Sequence, residues 1–478
     1  MPDQDLEIGD EVAVDIEAVA HGGHFVARHA GRVLFVRHAA PGERVVARIT
    51  GTGPGGRFLY ADAVAIERPS PGRVTPPCRY AGVCGGCDFQ HLTLAAQRDL
   101  LSAVVREQFA RLAGLEVDVE VQELGEAEPG LGWRTRVEFA VGRDGRAGLH
   151  PHRSHDVVRV TDCLIAAPGV VETGVLDQLW PSCPSVEVTA PSTGEPVVTP
   201  VPAWERGDAR SAAVPAAATV AAAEAAAGGA EAMAAEAAPG ETVVRERVTT
   251  EWVTQADQAR AFSHEFALAA RGFWQVHPRA AATFVARVLA ELDPQPGERA
   301  LDLYAGVGLF AAALADAVGP EGQVLALESD RLATTFAVDN LASWPQALVV
   351  PGRVDDLFGV ARPGRRGPAA NRATRNRKPR RSPLVPHTAD LVVLDPPRTG
   401  AGAQVVRAIA ALRPRAVAYV ACDPAALARD TAAFGKAGYA LTGLTAYDAF
   451  PMTHHVECIA TFRPVPTGEV GGSTDQQV

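Results

Sequence analysis

The chain has 478 residues, 47% of them hydrophobic, and a formal net charge of −11. That is too long for one ordinary domain and apolar enough for real cores, so two to four domains are expected. No basic-then-apolar leader and no uncharged apolar run of membrane-spanning length is present. This argues against a signal peptide and a membrane span and for a soluble, cytoplasmic protein.

Overall acidity argues weakly against nucleic acid, but binding depends on local patches. Residues 20–60 hold six arginines (Arg28, Arg32, Arg37, Arg44, Arg48, Arg57) against one acid, Glu43. Over 5–68, short alternating runs (Glu11–Ile16, Gly31–Val36, Arg44–Ile49) are split by Gly22-Gly23, Pro41-Gly42 and Gly53-Pro-Gly-Gly56, the pattern of a small β-barrel. With its arginines and Phe25, Phe35 and Phe58, this segment resembles a TRAM domain, an OB-like RNA-binding barrel; we place it at 1–68. A proline-rich joint, Pro69 to Pro77, follows. Then come a cysteine cluster, a helix predicted at 93–113 from the spacing of Leu94, Leu101, Val105 and Leu112, and strands at Arg136–Val141 and His155–Val160. Residues 184–240, rich in Ala, Pro, Gly and Glu, read as a disordered insertion. We place a central β-rich domain at 69–265.

From 299 to 463 strand and helix patterns alternate, which implies a mostly parallel sheet with helices on both faces. A Rossmann-like domain is expected at 266–465, interrupted by a basic insertion at 361–386; 361–381 alone holds nine Arg or Lys and no acid. That insertion is a solvated loop or a phosphate-gripping arm. Segments 440–447 and 455–463 are expected to add an antiparallel edge, and 466–478 to form a disordered tail.

Asp302-Leu-Tyr304-Ala-Gly306-Val-Gly308-Leu-Phe310 lies where a strand turns into a helix. Glycines there let the backbone approach a ligand, and the helix start favours a carboxylate. The loop looks like one that holds S-adenosylmethionine. Glu328, ending the next strand, suits ribose hydroxyls, a feature shared with NAD sites. Asp395-Pro-Pro-Arg398 forms a rigid turn at another strand end, with Arg398 where amino-group methyltransferases carry an aromatic.

Cys422 follows the buried run Ala416–Ala421 directly, on a turn imposed by Asp423 and Pro424. Ligands bind outside strand ends in such sheets, so this is a position for a nucleophile. A thiolate with a methyl donor points to a carbon that must first be activated, such as position 5 of a pyrimidine. That chemistry also needs a base, for which Glu457 is the first candidate and His454 and His455 are rivals.

Together, Asp302 to Phe310, Asp395-Pro-Pro-Arg398, Cys422 with Leu427-Ala-Arg-Asp430, and Phe450-Pro-x-Thr-x-His455-Val-Glu457 resemble the RNA 5-methyluridine methyltransferase family. The resemblance implies Cys422 as nucleophile, Glu457 as base, and Asp395 as a uridine contact. It implies cofactor contacts at Gln275, Tyr304, Gly306, Glu328 and Asp395, and structured RNA, ribosomal or transfer, as partner. Two departures stand out: His277 where Gln-Val-Asn is usual, and Asp423 where Cys-Asn-Pro is usual. The second puts a negative charge beside the thiol and is expected to raise its pKa unless Asp423 points away.

Cys78, Cys84 and Cys87, with distant Cys163, offer four thiolates, and Cys183 is a rival for the fourth. Ligand type alone allows zinc or an iron–sulfur cluster. The resemblance implies a [4Fe-4S] cluster on Cys78, Cys84, Cys87 and Cys163. The expected function is methyl transfer to C5 of a uridine. A methyltransferase for another RNA atom, or a non-catalytic RNA-binding or chaperone protein, is the alternative. The sequence does not fix the oligomeric state; a monomer is the simplest expectation.

Overall fold

Five strands, Glu11–Ala20, His24–His29, Arg32–Arg37, Arg44–Thr52 and Phe58–Arg68, close into a barrel in the computed structural model. The structure describes residues 6–124, 130–202, 242–360 and 380–466. Alternation along each strand turns Val14, Ile16, Phe25, Leu34, Val36, Val45, Ile49 and Leu59 inward, where all are buried. The barrel's arginines are not the bare cationic patch expected from the 20–60 window. Arg28 pairs with Glu17, Arg37 with Asp62, Arg44 with Asp15 and Glu67, and Arg48 with Glu11. Those acids lie outside the window in sequence, and strand pairing brings them alongside.

The strand Arg136–Val141 sits in a four-stranded sheet with Ala147–Gly148, Ser185–Thr189 and Val197–Val201. The expected strand at His155–Val160 is not formed; one bridge joins Val158 to Leu149. Residues 185–202, expected to be part of a disordered insertion, instead contribute two paired strands; residues 203–241 lie outside the described residues. Most of the basic insertion (361–379) and the tail (467–478) also lie outside them.

Eight strands form the C-terminal sheet. Their order is Ala347–Pro351, Gln323–Glu328, Arg299–Leu303, Leu391–Leu394, Ala416–Ala421, Glu457–Pro464, Tyr439–Asp448 and Val121–Glu123. The first five run parallel, and their burial is nearly complete at Leu391–Leu394 and Ala416–Ala421, as helices on both faces require. Glu457–Pro464 is antiparallel to both neighbours and lies inside the sheet. The edge is instead Val121–Glu123, delivered by the helix Leu94–Gln108. Thr93 caps that helix through Ala96 N–H, and a π-turn, Phe109–Ala113, continues it to Gly114. The hairpin Val243–Val253/Ala259–Ala269 packs Val248, Trp252, Phe262 and Phe266 with Phe284 and Val288 of the helix Ala280–Leu292. The C-terminal unit therefore begins before the expected boundary at 265/266, because the hairpin's apolar face is buried there.

Candidate active site

Topology brings the nucleophile and base candidates to one rim. Ala421 stands opposite Cys458 in the antiparallel pair, so Cys422, leaving one strand, neighbours Glu457, entering the next. Asp395 follows the parallel strand on the other side, whose Leu394 faces Tyr419. Tyr304 and Glu328 occupy the matching ends of two further strands.

The glycine loop is tightly tied. Tyr304 adopts a left-handed φ of 65°, costly for a non-glycine residue, and Gly306 and Gly308 follow at 57° and 91°. Tyr304 N–H and Ala305 N–H donate to Leu327 O at 3.0 and 3.1 Å. Asp302 accepts from Ala311 N–H at 2.8 Å; burial, with Asp395 and Glu328 nearby, pushes its carboxyl up to about 8. Glu328 accepts from Gly306 N–H at 2.8 Å and from Asp330 N–H at 2.6 Å, joining two strand-end loops.

One cavity of about 1090 Å³ is lined by Gln275, Tyr304, Gly306, Glu328, Asp395, Cys422 and Glu457 together. The cofactor candidates, the nucleophile candidate and the first-named base candidate thus open into the same space, whereas the two rival bases, His454 and His455, do not. The cavity's charges oppose one another. Burial, then Glu457 and Asp395, push the Cys422 thiol up to about 12, with Arg398 acting the other way. Burial raises Asp395 to about 7, and burial with Asp395 raises Glu457 well above the usual carboxylate range. Three buried acidic groups lining one cleft do not all ionise at neutral pH.

The model of the tRNA (Uracil-5-)-methyltransferase family matches residues 247–463, and that of the TRAM domain matches residues 5–64. An RNA methyltransferase of Streptomyces coelicolor is 42% identical, covering 96% of this chain and 94% of its own length. A 23S rRNA (uracil(1939)-C(5))-methyltransferase RlmD of Thiobacillus denitrificans is 32% identical, covering 94% of this chain and 99% of its own. The chain belongs to the tRNA (Uracil-5-)-methyltransferase family. It is an S-adenosylmethionine-dependent RNA methyltransferase with a TRAM domain at its N-terminal end. The fold agrees: Pyrococcus abyssi tRNA (uracil-54, C5)-methyltransferase, solved with S-adenosyl-L-homocysteine, superposes with a TM-score of 0.57 at 20% identity, over 94% of this chain and 99% of that one.

Both departures in this methyltransferase are accommodated. Asp423 points away from the thiol: its Oδ1 caps the helix Pro424–Lys436 through Ala426 N–H at 2.7 Å, and its Oδ2 lies 3.2 Å from His21 Nε2. The raised Cys422 therefore traces to burial, Glu457 and Asp395. His277 Nδ1 accepts from Arg279 N–H at 3.2 Å, ordering the helix start as an asparagine oxygen would, while its ring stacks on Trp133. Burial and Arg279 push His277 down to about 4, so it is neutral there.

Sequence reasoning missed several residues of the methyltransferase cleft. Phe273 is 73% exposed on its wall, and Phe450, Arg353 and Asp355 line it too. Asp430, quoted within a motif but given no role, accepts from Tyr419 O–H, Ala401 N–H and Gly402 N–H at 2.7, 2.8 and 3.1 Å. It thereby fixes the loop after Asp395-Pro-Pro-Arg398.

Cys78, Cys84, Cys87 and Cys163 line a second cavity of about 60 Å³; Cys183 is not part of it. Tyr80 N–H and Gly86 N–H donate to the Cys78 and Cys84 sulfurs, each at 3.4 Å. Burial foremost pushes Cys87 up to about 12, and the other three thiols add to it. Among the described residues, no three His, Cys, Asp or Glu side chains are already grouped to hold a metal ion.

Proposed function

We propose that this enzyme transfers the methyl group of S-adenosylmethionine to C5 of a uridine in structured RNA, through a covalent Cys422–C6 adduct. The observation that carries this is the shared cavity in which Cys422, Glu457 and Asp395 meet Gln275, Tyr304, Gly306 and Glu328. The Cys422 thiol gives up its proton to solvent and adds as the thiolate to C6, and the electron pair moves to C5. C5 takes the methyl group as its bond to sulfur breaks. Glu457, in its ionised form, then removes the C5 proton, and the thiolate leaves. Asp395, whose carboxyl burial raises to about 7, has in its protonated form a hydrogen to donate to a base carbonyl. Gln275, Tyr304, Gly306, Glu328 and Asp395 are the residues that would hold the methyl donor. Stacked bases hide C6, so the uridine must be flipped out.

The full-length likeness to a 23S rRNA methyltransferase makes large-subunit ribosomal RNA the first substrate candidate and transfer RNA the second. In this reading Cys78, Cys84, Cys87 and Cys163 would hold a [4Fe-4S] cluster. Four sulfur donors share one cavity, and two N–H groups are aimed at their sulfurs. Methyl transfer needs no electron, so the group's contribution there would be structural.

The test is Cys422→Ala in the full chain. Turnover and covalent RNA adducts should vanish while cofactor affinity stays within about threefold, since Cys422 supplies bond formation rather than cofactor binding. Loss of cofactor binding instead would remove the nucleophile assignment.

A further inference from the structure

The turn His21-Gly22-Gly23 of the barrel touches both catalytic loops at once. His21 Nε2 lies 3.2 Å from Asp423 Oδ2, one residue past Cys422. Gly23, at φ +79°, packs flush on His454, three residues before Glu457; a Cβ there would lie 3.0 Å from His454 Cβ and 3.1 Å from Nδ1. His454 Nδ1–H also donates to Asp88 Oδ2 at 2.6 Å, and Asp88 and Phe89 N–H donate to Met452 O at 2.9 and 3.0 Å. The loop before Glu457 is thus held by both the barrel turn and the cysteine-bearing segment. The helix that follows Cys422 is fastened to that same turn.

We propose that the His21–Gly23 turn is a positioning element that sets the nucleophile loop and the base loop relative to each other. The barrel then contributes to the chemical step as well as to RNA capture. His21 also holds Asp423, whose carboxylate is one residue past the thiol, at hydrogen-bond distance. This inference rests on the roles given above to Cys422 and Glu457. The charged groups that face the thiol are Glu457, Asp395 and Arg398, and those that face Asp423 are His21 and Arg429. Without His21, Asp423 Oδ2 loses its partner at 3.2 Å and is free to turn toward the thiol.

The experiment uses the full chain as purified, as His21→Ala, His21→Gln and the double variant His21→Ala/Asp423→Asn. Single-turnover methylation at saturating RNA should slow about tenfold or more in His21→Ala, the order of effect a small misplacement of reacting groups produces. Cofactor and RNA affinities should change by less than about threefold, because neither is bound through this pair. His21→Gln, which keeps an N–H donor, should recover most of the rate. Iodoacetamide labelling of Cys422, read by peptide mass spectrometry, should shift to higher pH in His21→Ala and return toward wild type in the double variant. Weaker RNA affinity with unchanged single-turnover rate and unchanged labelling would overturn the inference and make the turn an RNA contact only. If the wild-type enzyme forms no 5-methyluridine, the proposed function fails, and the labelling profile alone decides this inference.

Discussion

Burial first, and then the neighbouring acids, raise both Cys422 and Glu457, and this makes the proposed base assignment testable. Burial and Asp395 raise Glu457, so once ionised it is a strong proton acceptor for C5. Glu457→Gln keeps the shape and removes that capacity. A methylated covalent RNA complex that resists denaturation should accumulate, with release slowed by about two orders of magnitude or more, as loss of general-base catalysis implies. Release at the wild-type rate would move the base role elsewhere. Much of this scale was legible in the sequence: a thiol after an apolar run and a carboxylate in a second motif are local signals. The orientation of Asp423 was not, because its partner His21 lies some four hundred residues away in the chain and only folding brings them together.

At the scale of elements, the parallel strands from Arg299 to Ala421 could be read from alternating strand and helix patterns, since each βα step is local. Three features could not: the placement of Glu457–Pro464 inside the sheet, the edge strand Val121–Glu123, and the hairpin Val243–Ala269 on the C-terminal core. All three depend on pairing across long separations, which periodicity does not report. The hairpin is also tied to the central sheet by a buried ion pair, Arg136 to Glu246 at 2.9 Å, each side chain 6% exposed. Glu246 accepts as well from Ser192 N–H at 2.9 Å. Glu246→Ala strands a buried guanidinium and should cost about 3–5 kcal/mol in denaturant unfolding, whereas Arg136→Met/Glu246→Leu should cost far less. A loss below about 1 kcal/mol in the single variant would show that the pair does not join the two units.

At the scale of the whole molecule, the barrel, the cysteine-bearing segment and the C-terminal sheet meet at the catalytic rim, and several histidines are sealed in neutral form. Burial foremost pushes His91 and His277 down to about 4 and His455 to about 3 from an ordinary 6.5. Their folded pKa values lie below the unfolded ones, so the unfolded chain takes up protons first as pH falls. The stability they confer is complete above 6.5 and is lost as pH falls from there to about 4 for His91 and His277 and to about 3 for His455. Denaturant midpoints measured across that range should fall, and His91→Gln, which keeps a donor for Ala39 O, should flatten the decline. A pH-independent midpoint would mean that these rings are accessible to protons in the fold. The central claim, methylation of uridine C5 in RNA, is tested most directly by nucleoside mass spectrometry. Ribosomal and transfer RNA would be purified separately from a strain lacking this gene and from its parent. The account predicts loss of 5-methyluridine from the ribosomal pool; unchanged 5-methyluridine in both pools would contradict it.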